Sequence, residues 1–410
     1  MNRRPEPGIG GERDMGQRDT GQPDTGRRRI GRRNVGQMVI TAVVALVLGT
    51  AYLQLLTLAL EVVWTTVPQR LGNELLVAGY MVVMLTGGAV FVGLLRHRTG
   101  VFGHSPLDGL TVSVASLKVA LTSLLLVVIT LLSGAVLGPE AGLLALGTAV
   151  GVFVSERQPG SDTHRLVTIG AIGALLGLVV SLAWHSTLNL GGGYQFEWAD
   201  LLAAAAVALL AAVCVAIVRL GAYAWRQWAD PGETHANRVA LSGLLIALVA
   251  ISSYLVWDID LHLILGSGEG HISDLLALTD GGVVAVIVLT KGLGYALSLG
   301  GGLRGGPIFP AMFLGGAVGV LASLAGLPGV PAVLAAAGIL AATSVGLALH
   351  WIPLTVSGVA LGLLLGGWAL VPAAVLGVVI GRLVGTGLER VPGVGPVPDA
   401  PAVAATARRG

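Results

Sequence analysis

Gly305-Gly306-Pro307-Ile308-Phe309-Pro310 opens an apolar segment that begins Ala311-Met312-Phe313-Leu314 and runs uncharged to Gly381. Glycine lets backbone approach closely, and proline suits the first helical turn, where its missing N–H costs nothing. The stretch predicts a helix whose N-terminus begins inside apolar protein, after non-helical backbone. Such an end presents unpaired N–H groups and a partial positive charge, which together can hold an anion. Far upstream, Gly138-Pro139-Glu140-Ala141-Gly142 has the same make-up. Two interrupted hydrophobic segments, one in each half of a chain, point to a midplane site of the transporter or channel kind.

The rest of the chain supplies the setting. Of its 410 residues, 54% are hydrophobic and 11% charged, and the mean hydropathy is +0.84. That charge fraction is under half the roughly 25% of soluble domains, so water is not the main solvent. Uncharged runs at Val35–Leu60, Leu75–Leu95, Val119–Gly138, Leu166–Phe196, Leu201–Val218 and Val239–Trp257 approach or exceed the roughly 20 residues needed to cross a bilayer. The reading is an all-α, multi-pass protein of the cell membrane.

Charge placement sets the orientation and the boundaries. Residues 1–34 are rich in arginine interleaved with Gly, Pro and Asp, and are expected to form a disordered cytoplasmic arm and not a nucleic-acid interface. Arg96 and Arg98 fit the same side. The arm lacks the pattern of a signal peptide. A first membrane half is expected over 35–218, a polar connector over 219–238, a second half over 239–386, and a disordered tail over 387–410. After the connector the order of spans, Gly-rich breaks and Gly/Pro turns echoes the first half. No residue-level repeat is visible, so the symmetry is inferred from hydropathy and breaks. Tryptophans 64, 198, 225, 228, 257 and 368 fall near span ends, as interfacial anchors should.

The chemistry centres on Glu140, which is the lone acidic residue between Asp108 and Glu156 and lies one position after a helix-starting proline. Carboxylates favour the first turn of a helix by about 0.3–1 kcal/mol, which is the structural reading. Within a membrane, however, an ionisable group is costly and functional by default. A carboxylate aimed at an anion site can occupy that site itself and, on protonation, release it. Lys118 and Lys291 are read as snorkelling to an interface, the alternative being that they raise the local potential for anions. Asp258, Asp260, His262, Glu269, His271 and Asp274 share a loop and are read as facing water, with no metal expected. Cys214 is the sole cysteine, so neither an intrachain disulfide nor a Cys metal cluster is expected. No GxxxxGK[ST], HExxH or GxSxG pattern occurs. The chain is not expected to be an enzyme or to need a cofactor.

The two turns together resemble those of the CLC family of chloride channels and proton-coupled chloride antiporters. Gly138-Pro139-Glu140-Ala141-Gly142 is similar to that family's Gly-Arg/Lys-Glu-Gly-Pro motif, and Gly305-Gly306-Pro307-Ile308-Phe309-Pro310 to its Gly-Gly-Ile-Phe-Ala-Pro motif. Gly103-His104-Ser105-Pro106 is a looser match to Gly-Ser-Gly-Ile-Pro, one residue short. The likeness covers residues 36–386 and implies a divergent bacterial-type member, with no appended soluble domain expected. It implies two inverted-topology halves with broken helices, and a homodimer with one anion path per subunit. It also implies Glu140 as the gating residue. The implied anion-binding set is Ser105 or His104, with Gly138, Gly305, Gly306, Ile308 and Phe309. Chloride or a similar small anion is the expected cargo, with protons as a second one if the chain is an antiporter.

The departures from the family pattern bear on coupling. Pro307 stands where the family uses a backbone amide, and proline has no N–H to offer. No tyrosine follows Tyr295, so the family's late pore tyrosine has no counterpart. No acidic residue lies in Leu166–Gly193, where many of its antiporters hold an internal proton acceptor. These absences favour passive or weakly coupled anion flow over the alternative, a proton-coupled antiporter. An unrelated inverted-repeat transporter for a small organic anion is the rival outside the family.

Overall fold

The structure, a computed structural model, describes residues 32–101, 105–108, 114–157, 161–185, 197–198, 200–228, 235–329, 331–347 and 368–391. Helix α1 (Arg32–Glu61) continues through a π-helical turn at Val62–Thr66 into α2 (Val67–Leu71). Asn73 caps the next helix, α3 (Glu74–Thr99), by accepting from the N–H groups of Leu75 and Leu76 at 2.9 and 3.3 Å. There follow α4 (Leu117–Leu132), α5 (Glu140–Glu156), α6 (Thr163–His185), α7 (Asp200–Trp228) and α8 (His235–Trp257). Short helices α9 (Leu261–Ile264) and α10 (Ile272–Leu276) lead to α11 (Gly281–Gly300), α12 (Ile308–Leu324), α13 (Pro331–Leu347) and α14 (Val371–Glu389). Among the described residues, seven helices are long and apolar enough to cross a membrane. Large apolar side chains such as Leu202, 82% exposed, cover their outer faces, as a bilayer solvent requires. This is a multi-pass helical membrane protein.

Glycine contacts fix the relative directions. Gly173 meets Ala42 and Gly177 meets Thr50, so α6 runs parallel to α1. Gly147 meets Gly170 and Gly151 meets Val167, so α5 runs antiparallel to α6. Helix α5 therefore points back toward the arginine-rich face on which α1 begins. On the other side of the molecule, Gly93 abuts Ala236, placing the end of α3 beside the start of α8. Gly281, at the start of α11, lies against Leu321 and Leu324 near the end of α12. Trp257 closes α8 beside Gly282, so α12 points toward the face opposite the arginines. Two broken helices that start together and leave in opposite directions are the inverted arrangement.

The halves also repeat residue by residue, which the hydropathy reading missed. Leu146-Gly147-Thr148-Ala149-Val150-Gly151-Val152 in α5 recurs as Leu314-Gly315-Gly316-Ala317-Val318-Gly319-Val320 in α12, at the offset that separates Gly138 from Gly306. The contacts repeat with it. Gly315 packs on Gly338 and Gly319 on Ala335, as Gly147 packs on Gly170 and Gly151 on Val167. A side chain at any of these four glycines would meet backbone of the neighbouring helix, so each half needs glycine there to bring its pair of helices close.

Two expectations are corrected. The connector does not begin at Arg219, because α7 continues through Trp228. Arg219 is buried there, its guanidinium donating to the carbonyls of Val345 at 2.5 Å and Leu107 at 3.3 Å. Trp64 is not an interfacial anchor. It is buried, donates its indole N–H to the Leu132 carbonyl at 3.1 Å and packs edge-on to Tyr80. Trp198, Trp228, Trp257 and Trp368 are exposed, as anchors are.

Candidate functional site

The two sequence turns meet. Gly138 N–H donates to the Gly306 carbonyl at 2.7 Å, and Gly306 N–H returns a bond to the Gly138 carbonyl at 2.6 Å, an isolated antiparallel bridge. Pro139 and Pro307 follow in near-helical conformation and launch α5 and α12. The approach to each bridge is bent by a glycine at φ 90°, Gly134 on one side and Gly302 on the other. Only glycine adopts this without strain. Ser298 secures the first turn, its hydroxyl accepting from Val136 N–H at 3.1 Å while donating to the Gly294 carbonyl at 2.7 Å.

Glu140, in the first turn of α5, turns its side chain across to α12. It is fully buried, and its Oε1 accepts the Phe309 N–H at 2.9 Å. The amides of Ile308 and of Glu140 itself also face the carboxylate. Oε2 has no hydrogen-bond partner among the described residues. The carboxylate lies over Gly138 and Gly306, and a Cβ on either glycine would collide with it. A negative group thus sits at the positive end of α12, in a pocket whose floor is bare backbone.

The residues expected at the site take distinct places. Ile308 and Phe309 present amides to the carboxylate. The amides of Gly138 and Gly306 are instead spent on each other, so these glycines supply closeness and not donors. Gly305 packs on Leu137. Ser105 is half-buried beside the single turn Pro106–Asp108, whose Leu107 carbonyl is held by Arg219. His104 lies outside the described residues.

Three groups around the site were not singled out for it by sequence. Tyr295 is fully buried in α11 and donates its hydroxyl to the Pro307 carbonyl at 2.6 Å, bracing the start of α12. Tyr52, from α1, brings its hydroxyl against Gly142, and that oxygen has no hydrogen-bond partner among the described residues. Glu269, from the loop between α8 and α11, is half-buried and interacts electrostatically with both Glu140 and Tyr52. Burial and the neighbouring Glu140 carboxylate push it up to about 8 from its usual 4.5. It does not simply face water. Lys291 does not snorkel either: it is fully buried, with Nζ donating to the Leu263 and Leu265 carbonyls at 3.2 and 3.1 Å and lying 4.3 Å over the Phe313 ring. No sequence pattern foretold these contacts, because every partner is far away in the chain or is backbone.

A helical membrane fold with two inverted halves, whose broken helices meet around a buried carboxylate, is an arrangement suited to passing an anion. Comparison with known proteins agrees. The family described as voltage gated chloride channel matches residues 163–352, which include the turn at Gly305 but not that at Gly138. YfeO of Salmonella choleraesuis, an ion-transport protein by name, is 28% identical over 332 residues, 69% of this chain and 80% of its own. Among solved structures, a slow cyanobacterial Cl−/H+ antiporter superposes with a TM-score of 0.69 at 14% identity, covering 89% of this chain and 96% of its own. A CLC-type fluoride/proton antiporter gives 0.59 at 14% identity, over 87% and 97%. Residues 163–352 thus resemble the voltage gated chloride channel family, and the fold as a whole is like that of the CLC-type structures.

Proposed function

We propose that this protein passes chloride or a similar small anion through the point where α5 and α12 meet, and that Glu140 gates the path by protonation. The observation that carries the reading is the Glu140 carboxylate itself. It stands where a free anion would be held, taking the Phe309 N–H at the positive end of a helix. Protonation removes its charge and its claim on that amide, so the side chain can leave and an anion can replace it. Fixed N–H dipoles then do for the anion what its hydration shell did in water. Ile308 and Phe309 are the assigned donors, with Ser105 as an added hydroxyl ligand. One such path per subunit of a homodimer completes the proposal.

We favour passive or weakly coupled flow, on the missing late tyrosine and the absence of acidic residues in Leu166–Gly193. The second reading is proton-coupled antiport. It is favoured by Glu269, a second carboxyl that interacts electrostatically with Glu140, and by the Tyr52 hydroxyl, which has no hydrogen-bond partner among the described residues. Liposomes holding the purified protein and a pH-sensitive dye separate the two. A chloride gradient that drives protons uphill overturns passive flow, and dissipation of the gradient with no proton movement supports it. No chloride flux above protein-free liposomes overturns both.

A further inference from the structure

The loop between α8 and α11 lies on the face opposite the arginine-rich end, because α8 finishes and α11 begins there. Three of its polar side chains converge. His271 Nδ1 is 2.9 Å from Asp274 Oδ2, and His262 Nε2 is 3.6 Å from the same oxygen. The two imidazole rings stack with centroids 4.1 Å apart, and one donor atom from each of the three residues lies within 4.8 Å of the others. Donors bound at about 2.0–2.1 Å in a tetrahedron stand roughly 3.3 Å from one another, so the trio needs only small shifts to close on an ion. His262 comes from α9, whereas His271 and Asp274 open α10, so such an ion would tie the two ends of the loop together.

We propose that His262, His271 and Asp274 form a site for a zinc-class divalent ion on the outer face, and that the bound ion brakes anion flux by fixing this loop. Two imidazoles and one carboxylate suit Zn2+, Co2+ or Ni2+ better than the hard cations Ca2+ and Mg2+, which want more oxygen ligands. Asp274 is half-exposed, its side chain at 52%, which leaves water to take the fourth position. The only cationic side chain at this loop, among the described residues, is Lys291. Its ammonium is turned to the carbonyls of Leu263 and Leu265 on the inner side.

The same loop is tied to both broken helices. Gly266 N–H donates to the Gly134 carbonyl at 3.2 Å, just before the turn into α5. Gly268 lies against the Phe313 ring of α12. A cross-link from α9 to α10 would therefore hold in place the cover that an anion must pass on the outer side. Metal binding stands independently of the Glu140 gate; only the brake rests on the proposed anion path.

The test uses tag-free, full-length protein. Co2+ is titrated into protein in detergent, and Zn2+ is added outside liposomes during chloride efflux. The expected result is a one-to-one visible absorption of tetrahedral Co2+, displaced by Zn2+, and slowing of efflux by external Zn2+. His262→Ala with His271→Ala should weaken Co2+ binding by at least ~10-fold, the scale on which even outer-shell losses act, and abolish the slowing. The variants should keep metal-free efflux. His271→Cys, which retains three ligands, should restore binding with a preference for Cd2+, so a folding defect cannot imitate the result. Absence of Co2+ binding to the wild type, wild-type binding in the double variant, or Zn2+ binding without slower efflux each overturns the proposal.

Discussion

Gly306→Ala offers a way to move the Glu140 carboxylate without altering Glu140. The atoms that a Cβ at this position meets first are all in the Glu140 side chain, and the collision is with Oε2. The backbone of Gly306 is not in the positive-φ region, and its N–H and carbonyl stay available for the bridge to Gly138. The relief is therefore for the carboxylate to swing out. That gives up a charge-assisted hydrogen bond to Phe309, about 1.5–3 kcal/mol. It also gives up the helix-end interaction, up to ~2 kcal/mol. A combined bias of ~2–4 kcal/mol corresponds to roughly a 30- to 700-fold change in the ratio of docked to undocked carboxylate. The expected phenotype is chloride efflux at neutral pH that rises toward the wild-type rate at acidic pH and no longer depends on pH. Liposome efflux with a chloride electrode reads this directly, with monodispersity in detergent as the folding control. Wild-type pH dependence in folded Gly306→Ala would refute the idea that the carboxylate's seat on α12 closes the path.

Other outcomes follow from the same geometry. Glu269 is raised to about 8, so from about 4.5 to 8 the folded protein keeps a proton that the unfolded chain has released, and stability falls as pH rises through that window. Glu269→Gln should flatten this fall, seen as melting temperatures in detergent that change less between acidic and alkaline buffer than those of the wild type. Gly134→Ala should cost more than Gly266→Ala in the same melts. Both glycines have positive φ, a strain of about 1–3 kcal/mol for other residues, but only at Gly134 does the new methyl also strike the Trp64 ring. Equal melting temperatures for these two variants would contradict the packing described around the first turn.

The membrane class and the two broken helices were legible because each rests on a local rule. Long uncharged runs have no other solvent, and Gly-Pro pairs have few uses inside an apolar segment. Glu140 was legible for the same reason, as an isolated charge at a helix start. The repeat between Leu146–Val152 and Leu314–Val320 was also in the sequence, hidden because glycine, alanine and valine are common throughout a membrane chain. What makes it meaningful is the shared contact of Gly147 and Gly315 with the next helix, which is a property of packing. Lys291 and Glu269 were misplaced because burial of a charge depends on partners from distant segments, here the carbonyls of Leu263 and Leu265 and the carboxylate of Glu140. The amides of Gly138 and Gly306 show a related limit. Their motif was read correctly as a close backbone approach, yet what they approach is each other.

The most direct measurement is chloride efflux from liposomes containing wild-type protein or Glu140→Gln, taken from acidic to alkaline pH. A carboxylate that competes with the anion for the Phe309 amide predicts wild-type efflux that falls as pH rises and Glu140→Gln efflux that stays level. The same fall in both proteins would contradict it.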